Sequence, residues 1–528
     1  MRRAFLIAIA LALPLATTRA DDSKKPDTDK TPPPAEEVFK PEEVTTSGSV
    51  AGVDYQAIAG TLVVHPKGWA DVKDKENKDN PTAVASMFYV AYFKKGALAT
   101  ARPITFLYNG GPGSATVWLH MGAFGPKRVV TADDTHTPAA PYQVVDNQSS
   151  LLDVSDLVFI DAPGTGFSRI AGKDKEKAFF GVDPDAYAFS QLIQQFLSKY
   201  GRWNSPKYLF GESYGTPRSA VLVNMLQSDA AVDFNGVILL SQILNFNLNA
   251  DGAEVNPGVD LPYEVALPTY AATAWYHRKV PGKRPADLPQ FLKEVEHFAV
   301  TDYALALMAG ASLSPEQRNA TAEKLHDYTG LPVSYILKAN LRIDGGEFEK
   351  NLQDDANLTT GRLDSRFSGP TIDPLSKEAD YDPQSSAISS AYVSAFNDYV
   401  RKVLNYGQDK QFKPTIDAFK SWDFKHQQPG AGFAFPGATN VLPDLAVAMK
   451  TNPQLKVLLL GGYFDLATPY YEGIYEMQHL PIPQNLQANI SYHYYQSGHM
   501  VYANEEALKL VHQHVEEFIR STDNLGTK

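Results

Sequence analysis

The chain has 528 residues, 44% of them apolar, so it can bury the core of one large domain with an insertion or of several average domains. Its formal net charge is −12 and no stretch is strongly basic, which argues against binding to nucleic acid or to an anionic membrane surface. The absence of cysteine excludes disulfide bonds and thiolate metal ligands.

The N-terminus has the pattern of a secretory signal peptide over residues 1–20. Arg2 and Arg3 precede an apolar run from Ala4 to Leu13, and Thr18-Arg19-Ala20 is a small-x-small cleavage site. The paired arginines also resemble a twin-arginine export signal. The apolar run is too short to span a bilayer, and no other run approaches the length of about eighteen apolar residues that would. We therefore expect cleavage after Ala20, no integral membrane segment, and a periplasmic or secreted protein.

Two further segments precede the first buried strand. Residues 21–49 are rich in proline and charge and nearly free of large apolar side chains, so we predict a disordered linker. Residues 50–93 contain short alternating runs, YQAIAGTLVVH and SMFYVAYF, separated by Gly, Asn and Pro clusters. These runs predict antiparallel strands at the leading edge of a sheet.

The next part of the chain alternates strands with helices. Apolar runs predict strands over Ile104–Tyr108, Leu157–Ile160 and Gly236–Leu240, and the spacing over Leu192–Tyr200 predicts a helix. The first two strands run into the glycine-rich loops NGGPGS and DAPGTGFS. This alternation predicts an α/β fold with a mostly parallel central sheet and a functional site at the carboxyl ends of its strands.

An insertion interrupts the sheet pattern over residues 247–440. Segments in which apolar residues recur at helical spacing are separated there by polar loops. We therefore predict a mainly helical cap, with helices over 290–308, 314–328 and 388–404. The sheet pattern then returns with strands over Lys456–Leu460 and Ile490–Tyr495 and a closing helix over Glu505–Arg520. The predicted core therefore comprises residues 50–246 and 441–528.

The segment Ser205–Leu226 has the pattern of a strand, a sharp turn and a helix around GESYG at residues 211–215. GxSxG is the pattern of a nucleophile elbow, in which a strained turn pushes the serine out above the sheet edge. Glycine is needed on both sides because a Cβ there would collide with the neighbouring strand or helix. The setting predicts an α/β-hydrolase fold with Ser213 as nucleophile; the alternative is a solvent-facing serine in an ordinary loop.

A serine nucleophile needs a histidine base and a carboxylate that orients the histidine. In α/β hydrolases the chain order is serine, acid and then histidine, each following a strand. The strand Lys456–Leu460 runs into Asp465, and the strand Ile490–Tyr495 runs into His499. We predict Asp465 as the acid and His499 as the base. The alternatives are a turn-forming aspartate and a histidine satisfied at the surface or in the core.

An acyl-transfer site also needs backbone N–H groups aimed at the developing oxyanion. One is expected from Tyr214 and the other from the loop Asn109–Gly113. That loop lacks the Lys-Ser/Thr pair of a phosphate-binding loop. His512 and His514 face different ways on a helix and no HExxH or paired-acid pattern occurs, so we expect no metal.

Five dispersed motifs resemble those of a known family. They are NGGPG at 109–113, DAPGTGFS at 161–168, GESYG at 211–215, GYFD ending at 465 and GHM at 498–500. In order and approximate spacing they resemble the serine carboxypeptidase family, in a bacterial, cysteine-free form, from about residue 100 to the C-terminus. The resemblance implies a secreted α/β hydrolase that removes single residues from the C-termini of peptides or proteins without a cofactor.

The resemblance also implies roles for particular residues. By motif match, the catalytic triad would be Ser213, Asp465 and His499. The oxyanion donors would be Gly111 and Tyr214.

The same motif match implies a site for the substrate's terminal carboxylate. Asn109, Gly110 and Glu212 would hold that carboxylate, and Met500 would line the pocket for the departing residue. A glutamate can bind a carboxylate only when it carries the proton itself. We therefore expect peptidase activity to be favoured at acidic pH and lost as Glu212 ionises; the alternative is a purely structural role for Glu212.

Several positions depart from the family's pattern. The family usually has Trp, Cys, Glu and Pro where this chain has Leu107, Ser114, Ala123 and Tyr502. The acid that Ala123 replaces normally shares the hydrogen-bond network of Glu212. Arg218, in the unusual sequence Thr216-Pro217-Arg218, could supply a compensating charge.

The sequence therefore predicts an exported serine-type carboxypeptidase that acts through an acyl-enzyme intermediate. The first alternative is another acyl hydrolase or acyltransferase on the same scaffold, such as an esterase or an aminopeptidase. The second is a non-catalytic binding protein that keeps the fold.

Overall fold

The computed structural model describes residues 38–71, 80–434 and 437–526. The predicted signal peptide and most of the predicted linker lie outside these residues. Among the described residues, no helix is long and apolar enough to cross a membrane.

The strands follow one another along the chain with these bounds: β1 (Glu43–Val50), β2 (Val53–Val64), β3 (Val84–Lys94), β4 (Ile104–Tyr108), β5 (Lys127–Val129), β6 (Val144–Asp146), β7 (Asp156–Ile160), β8 (Arg169–Ala171), β9 (Lys207–Glu212), β10 (Gly236–Leu240), β11 (Leu358–Thr360), β12 (Ser368–Pro370), β13 (Lys456–Gly462) and β14 (Ile490–Tyr495).

The α-helices have these bounds: α1 (Lys175–Phe179), α2 (Val182–Lys199), α3 (Gly215–Ala230), α4 (Leu261–Tyr276), α5 (Leu288–Phe298), α6 (Ala304–Ala309), α7 (Pro315–Thr329), α8 (Val333–Lys338), α9 (Gly345–Asn351), α10 (Pro383–Lys402), α11 (Leu442–Thr451), α12 (Tyr470–Gln478) and α13 (Glu505–Thr522).

The main sheet has the strand order β1-β2-β3-β7-β4-β9-β10-β13-β14, with β8 paired to β3. From β7 to β14 every neighbouring pair is parallel, whereas β1, β2 and β3 pair antiparallel. This is the α/β-hydrolase fold that the elbow pattern predicts, with the antiparallel strands at the leading edge.

The first strand begins earlier than the sequence analysis predicts. β1 starts at Glu43, inside the range assigned to a disordered linker, and pairs with β2 from Glu43 opposite Gly60 to Val50 opposite Val53. Its side chains alternate between exposed and half-buried, so the segment lacks the apolar run by which a strand is recognised. Backbone pairing with β2 forms this strand, and the linker prediction is wrong from residue 43 onward.

The two faces of the sheet are covered by separate cores. Leu107 and Phe210 pack into one core with α13, whereas Phe106 and Leu209 pack into the other with α2, α3 and α11. Successive side chains of a strand point to opposite faces, so strands buried on both sides must be apolar throughout. Because the strands from β7 to β14 run parallel, the carboxyl ends of β9, β13 and β14 lie at one edge of the sheet.

The residues between β10 and α11 are mainly helical, from α4 to α10, with the short antiparallel pair β11–β12 among them. Helices α4 to α9 form a third core, which also takes in Phe464, Leu466 and Tyr470 from the segment that follows β13, whereas α10 packs into the same core as Leu107 and Phe210. The inserted helices are therefore packed directly against the segment that contains Asp465.

Candidate active site

The turn after β9 has the geometry of a nucleophile elbow. β9 ends at Glu212, α3 begins at Gly215, and Ser213 between them has a φ of 58°. A positive φ is costly for a residue with a side chain and persists only where the surroundings impose it. Here the N–H of Ser213 donates to the carbonyl oxygen of Leu240 over 3.0 Å. A Cβ on Gly211 would collide with the backbone of Gly215, which is why the pattern needs glycine.

Asp465 and His499 form an ion pair beyond the ends of neighbouring parallel strands. The distance from Nδ1 of His499 to Oδ2 of Asp465 is 2.7 Å, and both side chains are buried. Since a carboxylate only accepts, Nδ1 carries the hydrogen and Nε2 is left as the basic nitrogen. Burial alone would lower the pKa of His499, but the charge and hydrogen bond of Asp465, together with the charge of Glu212, raise it above its ordinary value.

The carboxylate of Asp465 is held by its own loop. Oδ1 accepts the N–H groups of Ala467 over 2.9 Å and of Thr468 over 3.0 Å. Oδ2 accepts the hydroxyl of Thr468 over 2.7 Å in addition to His499. These donors fix the direction in which the carboxylate faces the imidazole.

A cleft of about 740 Å³ collects nearly all the predicted site residues. Of these, only Asp465 does not line the cleft, since it lies behind His499 and is fully buried. The predicted residues that line it are Asn109, Gly110, Gly111, Glu212, Ser213, Tyr214, His499 and Met500.

The glycine loop lies directly on the elbow. A Cβ on Gly110 would collide with the backbone nitrogen of Tyr214, so only glycine allows this approach. Gly111 has a φ of 111°, a conformation that glycine adopts without strain. The loop and the turn before α3 thus bring Gly111 and Tyr214 to the same cleft as Ser213.

Glu212 is a buried acid next to Ser213, with an exposed fraction of 2%. The hydroxyl of Tyr502 donates to its Oε2 over 2.8 Å. Burial raises the pKa of Glu212 to about 7, even though the charge of His499 and hydrogen bonds from Tyr502 and Asn109 lower it. A large fraction of Glu212 is therefore protonated near neutral pH, and nearly all of it at acidic pH.

Arg218 does not supply the compensating charge suggested by its sequence position. Its side chain is almost fully buried, pairs with Asp185 over 2.5 Å and donates to the carbonyl oxygen of Asn109 over 2.9 Å. It faces the core behind the glycine loop and does not line the cleft. The reason is that a buried guanidinium needs a carboxylate partner, which Asp185 on α2 provides.

Asp161, in the motif DAPGTGFS, ties loops together. Its Oδ1 accepts the N–H of Thr116 over 2.8 Å, and its Oδ2 accepts the N–H of Phe167 over 3.3 Å. A Cβ on Gly166 would collide with this carboxylate, so glycine is needed there. Asp161 supports the loop that follows Gly113 and does not line the cleft.

Sequence reasoning missed the segment 361–367, which we name the cap clasp. The N–H of His499 donates to the carbonyl oxygen of Leu363 over 2.6 Å, and the N–H of Leu466 donates to that of Arg362 over 3.0 Å. The N–H of Ser365 in turn donates to the carbonyl oxygen of Phe464 over 2.9 Å. The clasp therefore holds both the loop that contains Asp465 and the loop that contains His499. It uses main-chain groups, which leave no residue-type signal in the sequence.

One group of possible metal ligands occurs among the described residues. Ligand atoms of Asp153, His512 and Glu516 lie within 4.8 Å of one another. None of the three lines the cleft, His512 pairs with Asp153 over 3.1 Å, and Glu516 accepts from Arg520 over 2.8 Å. These residues are thus already paired with protein groups away from the serine.

Comparison with known proteins decides the family. The family described as "Serine carboxypeptidase" matches residues 67–517, which include the elbow, the acid and the histidine. The chain belongs to the serine carboxypeptidase family. The family resemblance of the five motifs is thereby confirmed.

Solved structures with a similar fold are much more distant in sequence. VinJ is 13% identical over 87% of this chain and 99% of its own, with a TM-score of 0.35. Proline iminopeptidase from Mycobacterium smegmatis is 10% identical over 92% of this chain and 100% of its own, with a TM-score of 0.34. A thermophilic esterase from Thermogutta terrifontis is 11% identical over 92% and 100%, with a TM-score of 0.30. No curated protein matches this serine carboxypeptidase family member in sequence.

Proposed function

We propose that this member of the serine carboxypeptidase family is an exported carboxypeptidase that releases C-terminal residues from peptides or proteins through an acyl-enzyme. The observation that carries the proposal is the 2.7 Å pair of His499 with Asp465, buried at the wall of a cleft that also holds Ser213 and the buried Glu212. A strained serine with an oriented histidine suits acyl transfer. A protonated glutamate beside them suits recognition of a carboxylate.

In the first half of the reaction, Oγ of Ser213 attacks the carbonyl carbon of the last peptide bond while Nε2 of His499 takes the hydroxyl proton. The carbonyl oxygen becomes an oxyanion, which the N–H groups of Gly111 and Tyr214 stabilise. The imidazolium is stabilised by Asp465. It then gives its proton to the nitrogen of the departing residue, the C–N bond breaks, and the shortened peptide stays on Ser213 as an ester.

In the second half, water replaces the departing residue. Nε2 of His499 takes a proton from the water as its oxygen attacks the ester carbonyl, and the second oxyanion forms in the same place. Collapse of that intermediate breaks the bond to Oγ, and His499 returns the proton to Ser213. The products are the free residue and a peptide shorter by one residue, and no cofactor takes part.

Recognition of the chain end is the role we propose for Glu212 with Asn109 and Gly110. A neutral Glu212 can donate its proton to one oxygen of the substrate carboxylate, whereas an ionised Glu212 would repel it. The pKa of about 7 supports this role at acidic and neutral pH. Met500 lines the same cleft, together with Trp118, Ile388 and Val393. These apolar side chains suit a departing residue that is itself apolar.

A peptide and its C-terminally amidated twin test the proposal. Time-resolved mass spectrometry should show stepwise loss of residues from the C-terminus of the free acid and much slower loss from the amide. The Ser213→Ala variant, checked for native folding by circular dichroism, is the matched control and should release nothing. Loss of residues from the N-terminus, or cleavage of esters alone, would favour another acyl hydrolase. Failure of an active-site serine reagent to label Ser213 would favour a binding protein.

Export is tested separately from activity. The full chain, expressed with residues 1–20 intact in a Gram-negative host, should accumulate in the periplasm or the medium and begin at Asp21. Retention in the cytoplasm with an intact N-terminus would contradict this part of the proposal.

A further inference from the structure

Tyr502 is a buried tyrosine whose hydroxyl contacts the acid of the cleft. It lies in the turn Val501–Ala503, just after His499 and Met500, and its side chain is 3% exposed. The hydroxyl donates to Oε2 of Glu212 over 2.8 Å. It also interacts with the side chain of Asn109, the other polar residue of the proposed carboxylate site.

The residues around Tyr502 leave room for its ring. A Cβ on Gly122 would lie 2.7 Å from two ring atoms of Tyr502 and 2.7 Å from a ring atom of Tyr392. Gly122 and Ala123 belong to a buried π-helical turn, Leu119–Phe124. Any larger side chain at position 122 would displace both tyrosine rings. The small side chains of this turn and the tyrosine therefore fit one another as a packed unit.

The hydroxyl of Tyr502 acts on Glu212 as a donor. Burial, followed by the charges of Glu212 and Tyr392, raises the pKa of Tyr502 well above its ordinary value, so the hydroxyl keeps its proton. Since Oε2 of Glu212 already accepts this hydrogen, the proton of neutral Glu212 belongs on Oε1. A donor also stabilises an ionised carboxylate more than a neutral one.

We propose that Tyr502 is a positioning residue for substrate recognition: its hydroxyl holds Oε2 of Glu212, so that Oε1 presents the proton to the terminal carboxylate of the peptide. The inference rests on the proposed function of Glu212. Tyr502 itself takes no part in bond making or breaking. It sets the orientation of the acid and the pH above which the acid stops binding the substrate.

Other charged groups also act on Glu212, and the test must separate them from Tyr502. The charge of His499 lowers the pKa of Glu212, and the charge of Asp465 raises it. The charge of Glu212 raises the pKa of Tyr392, but the hydroxyl of Tyr392 forms its hydrogen bond with Thr131 and not with Glu212. Tyr392→Phe therefore removes a buried hydroxyl beside the same Gly122 without touching Glu212. It is the matched control for Tyr502→Phe.

The experiment measures kcat and KM for a free-acid peptide across pH in the two variants. In Tyr502→Phe we expect KM on the acidic plateau to rise several-fold with kcat little changed, because the acid is less well oriented. We also expect the alkaline limb of kcat/KM to move up by roughly one pH unit, since the ionised carboxylate loses a donor. Tyr392→Phe should leave the position of that limb unchanged. A limb that stays in place in Tyr502→Phe, or moves equally in both variants, would overturn the inference.

A second measurement separates failure of this inference from failure of the proposed function. Infrared difference spectra recorded against pH report ionisation of a buried carboxyl group, and Glu212→Gln identifies its band. Tyr502→Phe should move the midpoint of that band to higher pH even if no peptide is cleaved. In the Glu212→Gln background the Tyr502 substitution should move nothing. An unmoved midpoint refutes the role of Tyr502, whereas absence of C-terminal release refutes only the proposed substrate.

Discussion

The main-chain N–H of His499 donates to the carbonyl oxygen of Leu363 over 2.6 Å, which ties the base of the site to the cap clasp. The two residues are far apart in the chain, and Leu363 belongs to the inserted region. The position of the His499 imidazole therefore depends on the inserted region as well as on β14. The proposed catalysis would therefore need the inserted region as well as the sheet for its geometry.

Gly498→Ala tests this dependence. A Cβ at position 498 would collide with the carbonyl oxygen of Leu363 and with Cβ of Asp364, so the loop that carries His499 must shift. We expect kcat/KM to fall by roughly 100-fold, as a displacement of about 1 Å can do, while circular dichroism stays native. Gly432→Ala is the control, because nothing lies within 4 Å of its added Cβ. Full activity in Gly498→Ala would contradict the role of the clasp.

Asp465→Asn tests the orientation of the histidine. The amide nitrogen of asparagine can donate to Nδ1 and so favours the wrong tautomer, leaving a hydrogen on Nε2. We expect kcat to fall by roughly 10⁴-fold with little change in KM. Asp398→Asn, at a side chain that is 69% exposed, is the control for charge removal and should behave as wild type. A loss of less than tenfold would argue that Asp465 does not serve His499.

The pH dependence of recognition follows from Glu212. With a pKa raised to about 7, mainly by burial, Glu212 is neutral below that pH and ionised above it, where it would repel the carboxylate of the proposed substrate. We expect the ratio of kcat/KM for a free-acid peptide to that for its amidated twin to be flat below about pH 7 and to fall above it. The ratio removes the titration of His499, which both substrates share. Glu212→Gln should make the ratio independent of pH; a pH-independent ratio in the wild type would count against the role of Glu212.

A pair of buried acids on α12 predicts a stability effect. Glu472 and Glu476 are fully buried, and neither carboxyl oxygen of Glu472 has a hydrogen-bond partner among the described residues. Burial, and then the charge of Glu476, raises the pKa of Glu472 well above its ordinary value; burial raises that of Glu476 to about 8. The unfolded chain releases these protons at lower pH than the folded protein. The free energy of unfolding therefore declines as pH rises above about 4.5. The decline ends once the pH exceeds the pKa values of Glu472 and Glu476 in the folded protein.

Glu472→Gln removes one of these ionisations. The quantity of interest is the free energy of unfolding of the variant minus that of the wild type, taken at each pH. We expect this difference to be roughly 1–3 kcal/mol larger at about pH 8 than at about pH 4. Urea unfolding at the two pH values measures this difference. The exposed Glu323→Gln should show the same small effect at both. An equal effect of Glu472→Gln at both pH values would show that Glu472 is not held neutral.

Much of the fold was open to prediction because its signals are local. The strands β4 and β10 have the bounds that their apolar runs predict, β14 has the bounds predicted where the sheet pattern returns, and β9 with α3 forms the predicted elbow at Ser213. A residue buried on both faces of a parallel sheet must be apolar, and a turn this tight must contain glycine. Asp465 and His499 could be chosen because each lies in the loop after a predicted strand, β13 for Asp465 and β14 for His499.

Other features depended on contacts between distant parts of the chain. The linker prediction failed at Glu43 because β1 is formed by pairing with β2 and has no apolar run of its own. The sequence left open whether Arg218 compensates for Ala123, and its direction is decided by Asp185 on another helix. The sequence around Glu43 and the sequence around Arg218 contain no pattern that would identify the partner of either residue.

What the sequence by itself determined is the order of elements, the elbow and the family, since each is encoded in the residues of one short segment. Only the tertiary structure decided the partners of the site. Tyr502 reaches Glu212 across 290 positions, and Leu363 reaches His499 through a main-chain carbonyl that every residue possesses. Such pairs are selected by how distant segments of the chain pack together at the edge of the sheet, and that packing is a property of the whole core.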